Sequence, residues 1–167
     1  MKHDRKPTLG VDIGGVILDF MPYRNTERGF DGPRYLEVPE IEGAIDALAL
    51  LNKSVFKDSV HLVSKIDRGS TRTLEWLHSR KFFERTGIPE GNLHICYERS
   101  EKEGIVAGLG ITHFVDDRTE VMSYMIGTVP NLYIFQNLNQ DRQTFVDAAK
   151  HMAYVQTWKE LVDLILR

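Results

Sequence analysis

Asp12 ends a short apolar run, Leu9-Gly10-Val11-Asp12-Ile13, and is followed at once by Gly14 and Gly15. Far along the chain a second apolar run, Ile111-Thr112-His113-Phe114-Val115, ends in Asp116 and Asp117. Two strands that each end in carboxylate can aim those groups at one point. Converging carboxylate oxygens hold a hard cation, and one of them can act as a nucleophile beside it. Two further features fall between the acids in chain order. Ser64 closes the apolar run Val60-His61-Leu62-Val63, and Lys102 opens a helical stretch. Lys65 is a rival source of the same ammonium.

These residues need elements to position them. Apolar runs predict strands over Thr8 to Ile13, Val60 to Ser64, Asn92 to Tyr97, Thr112 to Val115 and Leu132 to Phe135. Helical periodicity recurs over Ile41 to Leu51, Thr71 to Arg85, Lys102 to Leu109, Arg118 to Ile126, Phe145 to His151 and Thr157 to Leu166. Thr157, with Glu160 three residues on, reads as a helix cap. Strands alternating with helices, and near-continuously apolar, imply a parallel sheet covered on both faces: a three-layer, Rossmann-like α/β fold. Functional groups in such sheets gather at the carboxyl ends of the strands, where Asp12, Ser64, Asp116 and Asp117 all fall. Residues 19–39, rich in Gly, Pro, Arg and Tyr, form the one long irregular stretch and are a candidate flap over the site.

The chain has 167 residues, which suits a single domain spanning 1–167. With 42% hydrophobic and 27% charged residues it can build a core, so disorder is not expected. A net charge of -3 offers no electrostatic reason for nucleic acid or an anionic membrane as partner. The lone cysteine, Cys96, rules out a disulfide framework and favours a reducing, cytoplasmic setting. Cys96 itself reads as a small buried strand residue. No uncharged run approaches the ~18 residues that would span a bilayer. The six histidines show no metal-ligand spacing, and Trp76 and Trp158 read as helix packing.

The ordered set resembles the haloacid dehalogenase-like superfamily over about Leu9 to Phe135. Val11-Asp12-Ile13-Gly14-Gly15-Val16 is similar to its first motif and Leu62-Val63-Ser64 to its second. Lys102 stands for the third, and Phe114-Val115-Asp116-Asp117-Arg118 for the fourth. The resemblance implies a Mg2+-dependent phosphohydrolase in which Asp12 attacks phosphorus and becomes an aspartyl phosphate. It implies Asp12, Asp116, Asp117 and the Gly14 carbonyl as metal ligands, and Lys102 as the cation pairing with Asp12 and the phosphoryl oxygens. Ser64, with Lys65, Gly14 and Gly15, would bind phosphate. The chain departs from the family at Gly14, where active phosphatases carry a second aspartate that protonates the leaving oxygen. Glycine can do neither acid nor base work. Retained Mg2+ binding with impaired chemistry is therefore expected, with Asp19, His61, Arg24 or a substrate group left as candidate replacements. Residues 13–59 and 65–91 leave little room for a cap domain. An open site suits a phosphoryl group on a larger partner, or calls for a homo-oligomer to cover it; the expected partner is a phosphorylated small molecule or a phosphorylated macromolecule.

Other readings stand beside this one. Asp12, Asp116 and Asp117 could serve as turn or helix caps, Ser64 could satisfy strand-end backbone, and Lys102 could lie on a solvated face. Arg68, Arg72, Arg80, Lys81 and Arg85 form a basic helix edge that reads as solvent surface, with Arg68 near enough to a strand end to meet phosphate. Gly10-Val11-Asp12-Ile13-Gly14-Gly15 is also similar to the phosphate loop of actin-like sugar kinases, but that fold needs two lobes. No Gly-x-x-x-x-Gly-Lys loop is present. The alternative function is a non-catalytic binding or regulatory domain that keeps the metal and phosphate pocket.

Overall fold

The structure, a computed structural model, describes residues 6–136 and 141–167. Six strands form one parallel sheet: β1 (Leu9–Val11), β2 (Val60–Lys65), β3 (Leu93–Cys96), β4 (His113–Asp116), β5 (Asn131–Phe135) and β6 (Ala153–Val155), in the order β3-β2-β1-β4-β5-β6. The expected Rossmann-like α/β architecture is the one observed. Its logic is the two-residue alternation of side chains along each strand. Leu9, Val11, Leu62, Val115, Tyr133 and Phe135 enter one core, and Val63, Phe114, Leu132 and Ile134 enter the other. Helices α1 (Ala44–Leu51), α2 (Arg72–Ser79), α3 (Phe82–Thr86) and α7 (Trp158–Ile165) contribute to the first core. Helices α4 (Glu101–Gly108) and α5 (Thr119–Ser123) contribute to the second. The remaining helix, α6 (Val146–Ala149), is a single turn beside α5.

At the sheet's centre, Gly10 is required by a close approach. A Cβ there would lie 2.5 Å from the Phe114 ring. The Thr157 cap is as expected, its side chain accepting from the Glu160 N–H. Cys96 is a buried strand residue whose thiol is pushed up by burial, the inert state of a cysteine. Among the described residues, no helix is long and apolar enough to cross a membrane.

Two expectations need correction. The periodicity over Thr71 to Arg85 predicts one helix, but the chain breaks at Lys81, which is left-handed at φ 50. The buried stripe Thr73, Trp76, Leu77 would next reach Arg80 and Lys81. Those side chains are charged, so the helical phase slips and buries Phe82 instead. Strand β6 was not anticipated, because three residues between two helices carry too little periodicity to register.

Candidate active site

Register does most of the positioning. Val11 pairs with Val115 across β1 and β4, so the next residues, Asp12 and Asp116, stand side by side at the carboxyl ends of neighbouring strands. Asp117 follows at once. One carboxylate oxygen from each of the three lies within 4.8 Å of the others, and all three residues are buried, at 8%, 0% and 2% exposure. Lys102, in the first turn of α4, is itself 3% exposed. Its Nζ lies 2.9 Å from Asp12 Oδ1 and 2.8 Å from Asp116 Oδ2. The second oxygen of Asp116 accepts from the Arg118 backbone N–H at 2.9 Å. A solvated face for Lys102, and plain capping roles for the acids, do not describe this arrangement.

The electrostatics follow from one ammonium among three buried carboxylates. Burial alone would lower the Lys102 pKa, but Asp116 and Asp12 more than offset it, and the net shift is upward. Burial raises Asp12 to about 6, and the pull of Lys102 only partly opposes that. Burial and the charges of Asp116 and Asp12 hold Asp117 well above the usual carboxylate range. Negative charge exceeds positive among these buried groups, which is the condition a divalent cation relieves. The donors are all hard oxygen, the set that suits Mg2+, Ca2+ or Mn2+. Gly15 belongs to the same design. It has φ 77, and a Cβ there would lie 2.6 Å from Asp117 Oδ2. The residues present therefore fit Mg2+.

Asp12 and Asp117 open into a cleft of about 190 Å3 lined also by Gly14, Ser64, Lys65 and Lys102. Ser64 is 5% exposed, at the penultimate position of β2. Lys65 stands at the rim, with its Nζ 2.8 Å from Asp67; Lys102, not Lys65, is the ammonium on Asp12. Of the candidate acid–base replacements, none lines the cleft. Asp19 borders a groove with Ile41 and Trp158. His61 pairs with His94, ring nitrogens 3.1 Å apart. Arg24 borders a small neighbouring cavity. Arg99, Arg118, Thr73, Phe20 and Phe30 line the cleft and were not assigned roles from the sequence. The strand-end rule could have found Arg99, just past β3, and Arg118, just past β4. Nothing in the local pattern marks Phe20 or Phe30, which arrive from the irregular segment.

That segment and the turn before it are tied down by groups that read as packing or solvent surface. The Trp158 indole donates to the Val16 carbonyl, and the Trp76 indole to the Val38 carbonyl, each at 2.8 Å. Arg72 Nη1 donates to the Phe30 and Gly32 carbonyls at 2.8 and 3.0 Å. Arg80 reaches the Leu36 and Val38 carbonyls, and Arg85 the Glu40 carboxylate. The basic edge of α2 and α3 is thus largely a clamp on residues 30–40.

No model of a known protein family matches the chain, and no curated protein does. Solved structures do. One is a D,D-heptose 1,7-bisphosphate phosphatase from B. bronchiseptica, complexed with magnesium and phosphate. It has a TM-score of 0.60 at 13% identity, over 95% of this chain and 98% of that one. The corresponding phosphatase of Burkholderia thailandensis aligns at TM-score 0.57 and 13% identity, covering 96% and 99%. A haloacid dehalogenase-like hydrolase of Burkholderia xenovorans LB400 aligns at TM-score 0.63 and 11% identity, covering 95% and 96%. At this identity the likeness is one of fold.

Proposed function

We propose that this chain is a Mg2+-dependent phosphohydrolase working through an aspartyl phosphate on Asp12, and that its turnover is low because position 14 is glycine. The observation that carries the reading is the convergence of Asp12, Asp116 and Asp117 within 4.8 Å, with Lys102 bridging two of them. The fold shared with phosphatases, one of them holding magnesium and phosphate, supports it. Asp12, Asp116, Asp117 and the Gly14 carbonyl would hold the cation, which when bound neutralises charge on the phosphoryl oxygens. An Asp12 oxygen attacks phosphorus, and the ester P–O bond breaks with its electron pair leaving on the alcohol oxygen, which takes a proton from solvent. Water then attacks phosphorus and gives up a proton to solvent as the bond from phosphorus to the Asp12 oxygen breaks, releasing phosphate and restoring Asp12. Lys102 holds Asp12 in line and offers its charge to the phosphoryl group, Ser64 offers its hydroxyl, and Arg99 and Arg118 add positive charge at the mouth.

What the site lacks is a proton donor for the leaving oxygen. Among the described residues, the only carboxylates lining the cleft are Asp12 and Asp117, and no histidine lines it. A general acid–base group contributes ~10²–10⁴ in rate, so esters with good leaving groups are favoured. The test is hydrolysis of p-nitrophenyl phosphate with Mg2+. Activity lost in Asp12→Ala supports the assignment; activity unchanged in that variant sinks it. Gly14→Asp is sterically open, since a Cβ there meets only Phe20 ring carbons at 3.8 and 3.9 Å. That variant should gain turnover by about 10²-fold, and an unchanged rate would refute the explanation from the missing acid. The absence of that acid also favours the second reading, a phosphate- and metal-binding domain without catalysis. No hydrolysis above background with Mg2+ still bound would select it.

A further inference from the structure

Asp117 and Arg118 sit on the loop between β4 and α5, and that loop is held at both ends. On the β4 side, Asp116 Oδ1 accepts from the Arg118 N–H at 2.9 Å, and Asp116 itself is paired with Ile134 in the sheet. The α5 side needs a partner from elsewhere. A helix leaves its first backbone N–H groups without acceptors of its own. The residue in the capping position of α5 is Arg118, which makes no side-chain cap and has no acceptor to offer. The acceptor comes from Asp141, far along the chain. Its Oδ1 takes the Thr119 N–H at 3.1 Å and its Oδ2 the Glu120 N–H at 3.0 Å.

Asp141 is itself anchored. Its carbonyl accepts from the Thr144 and Phe145 N–H groups at 2.9 and 3.1 Å, which fixes it at the start of the turn Asp141–Gln143. The next residue, Arg142, lays its guanidinium 4.9 Å from the centre of the Tyr154 ring on β6. The carboxylate thus spans from a turn tied to the sheet to the backbone that follows the acids. A carboxylate suits the task, since its two oxygens accept from two consecutive N–H groups and its charge faces the positive end of their dipoles. Thr119 is fully buried, so a lost bond there would leave a donor unsatisfied.

We infer that Asp141 is a positioning residue for the active site proposed above, on which the inference rests. It fixes the backbone just beyond Asp117, and through it the Asp117 carboxylate and the Arg118 side chain that lines the cleft. The tolerance at Asp117 is small. Its Oδ2 lies where a Cβ on Gly15 would be 2.6 Å away. A loop displaced one way strikes Gly15, and displaced the other way it carries the oxygen out of the cluster with Asp12 and Asp116. A cap that served α5 alone would affect stability and nothing at the metal; a cap that positions Asp117 sets metal affinity in the folded protein.

The experiment is calorimetric titration of the full chain with Mg2+, well below the melting temperature of each variant, beside amide hydrogen exchange. Groups that orient metal ligands typically contribute ~10–100-fold in affinity, so Asp141→Ala should weaken Mg2+ binding by about tenfold or more. Asp141→Asn keeps one acceptor and should fall between that variant and wild type. Asp147→Ala removes the same charge from α6, where the side chain is 94% exposed, and should bind as wild type does. The Thr119 and Glu120 amides should lose protection in Asp141→Ala while those of β4 keep it. If Asp141→Ala merely melts earlier and binds Mg2+ at wild-type affinity, Asp141 caps a helix and positions nothing. Should that variant fail to fold, wild-type affinity in Asp141→Asn overturns the inference equally. A loss as large in Asp147→Ala would assign the effect to long-range charge and overturn it too. If the wild-type chain takes up no Mg2+, the active-site reading falls and the inference with it.

Discussion

Lys102 shows how much a single side chain can decide. It is the compensating charge for buried Asp12 and Asp116, at 2.9 and 2.8 Å, and removing one partner of a buried ionic set typically costs ~3–5 kcal/mol. Lys102→Met should therefore lower the unfolding free energy, read from denaturant titration in the absence of metal, by about 3–5 kcal/mol. A variant as stable as wild type would mean that the ammonium compensates nothing. Gly15 is decided by backbone instead. Its φ of 77 and the 2.6 Å approach of Asp117 Oδ2 mean that Gly15→Ala should cost about 1–3 kcal/mol. Chemical unfolding reads that cost directly, and Mg2+ affinity should fall with it as Asp117 is displaced. Both positions were legible as site residues from type and place. The family resemblance pointed to Lys102 as the partner of Asp12, but residue type and place alone left Lys65, the last residue of β2, as a rival, because only the path of α4 separates the two.

At the scale of elements, β2 and β3 carry a titratable pair. Burial lowers the pKa of His61, with the neighbouring His94 adding to it, and burial lowers His94. Their folded values thus lie below the ordinary 6.5, and the unfolded chain binds more protons near that pH. The stability these neutral rings contribute is present above pH 6.5 and is lost as pH falls through the lower folded values. The raised Asp12 and Asp117 act in the opposite sense, so the pair is read by difference: between pH 7 and pH 5 the melting temperature of His94→Gln should lose less, or gain more, than that of wild type; equal slopes would clear the pair of any role. Helix α2 teaches a different lesson. Its buried stripe was readable, but its end at Lys81 and its clamping of residues 30–40 through Arg72 and Arg80 were not. Local periodicity records which face is apolar; it does not record which distant carbonyl a guanidinium will meet.

For the molecule as a whole, the surplus of buried negative charge links metal to stability. A ligand that binds only the folded state stabilises it by about 2.7 kcal/mol at a hundred times its Kd. Millimolar Mg2+ should raise the melting temperature at neutral pH, and Asp116→Asn should abolish the rise. A wild-type melting curve indifferent to Mg2+ would count heavily against the assigned ligands. The sheet makes this linkage global, since Asp12 and Asp116 sit on its two central strands, where any local cost is felt throughout the core.

The amino-acid sequence by itself determined the alternation of strands and helices, the parallel sheet, and the placing of Asp12, Ser64 and Asp116 at strand ends. Those features follow from local apolar periodicity and from the geometry that all parallel α/β sheets share. Only the tertiary structure set Lys65 aside as the rival ammonium and kept Asp19, His61 and Arg24 out of the cleft. It alone turned a basic helix edge into a clamp and brought Phe30 to the wall of the cleft. Each of those outcomes depends on contacts between residues distant in the chain, whose meeting is set by how whole elements pack.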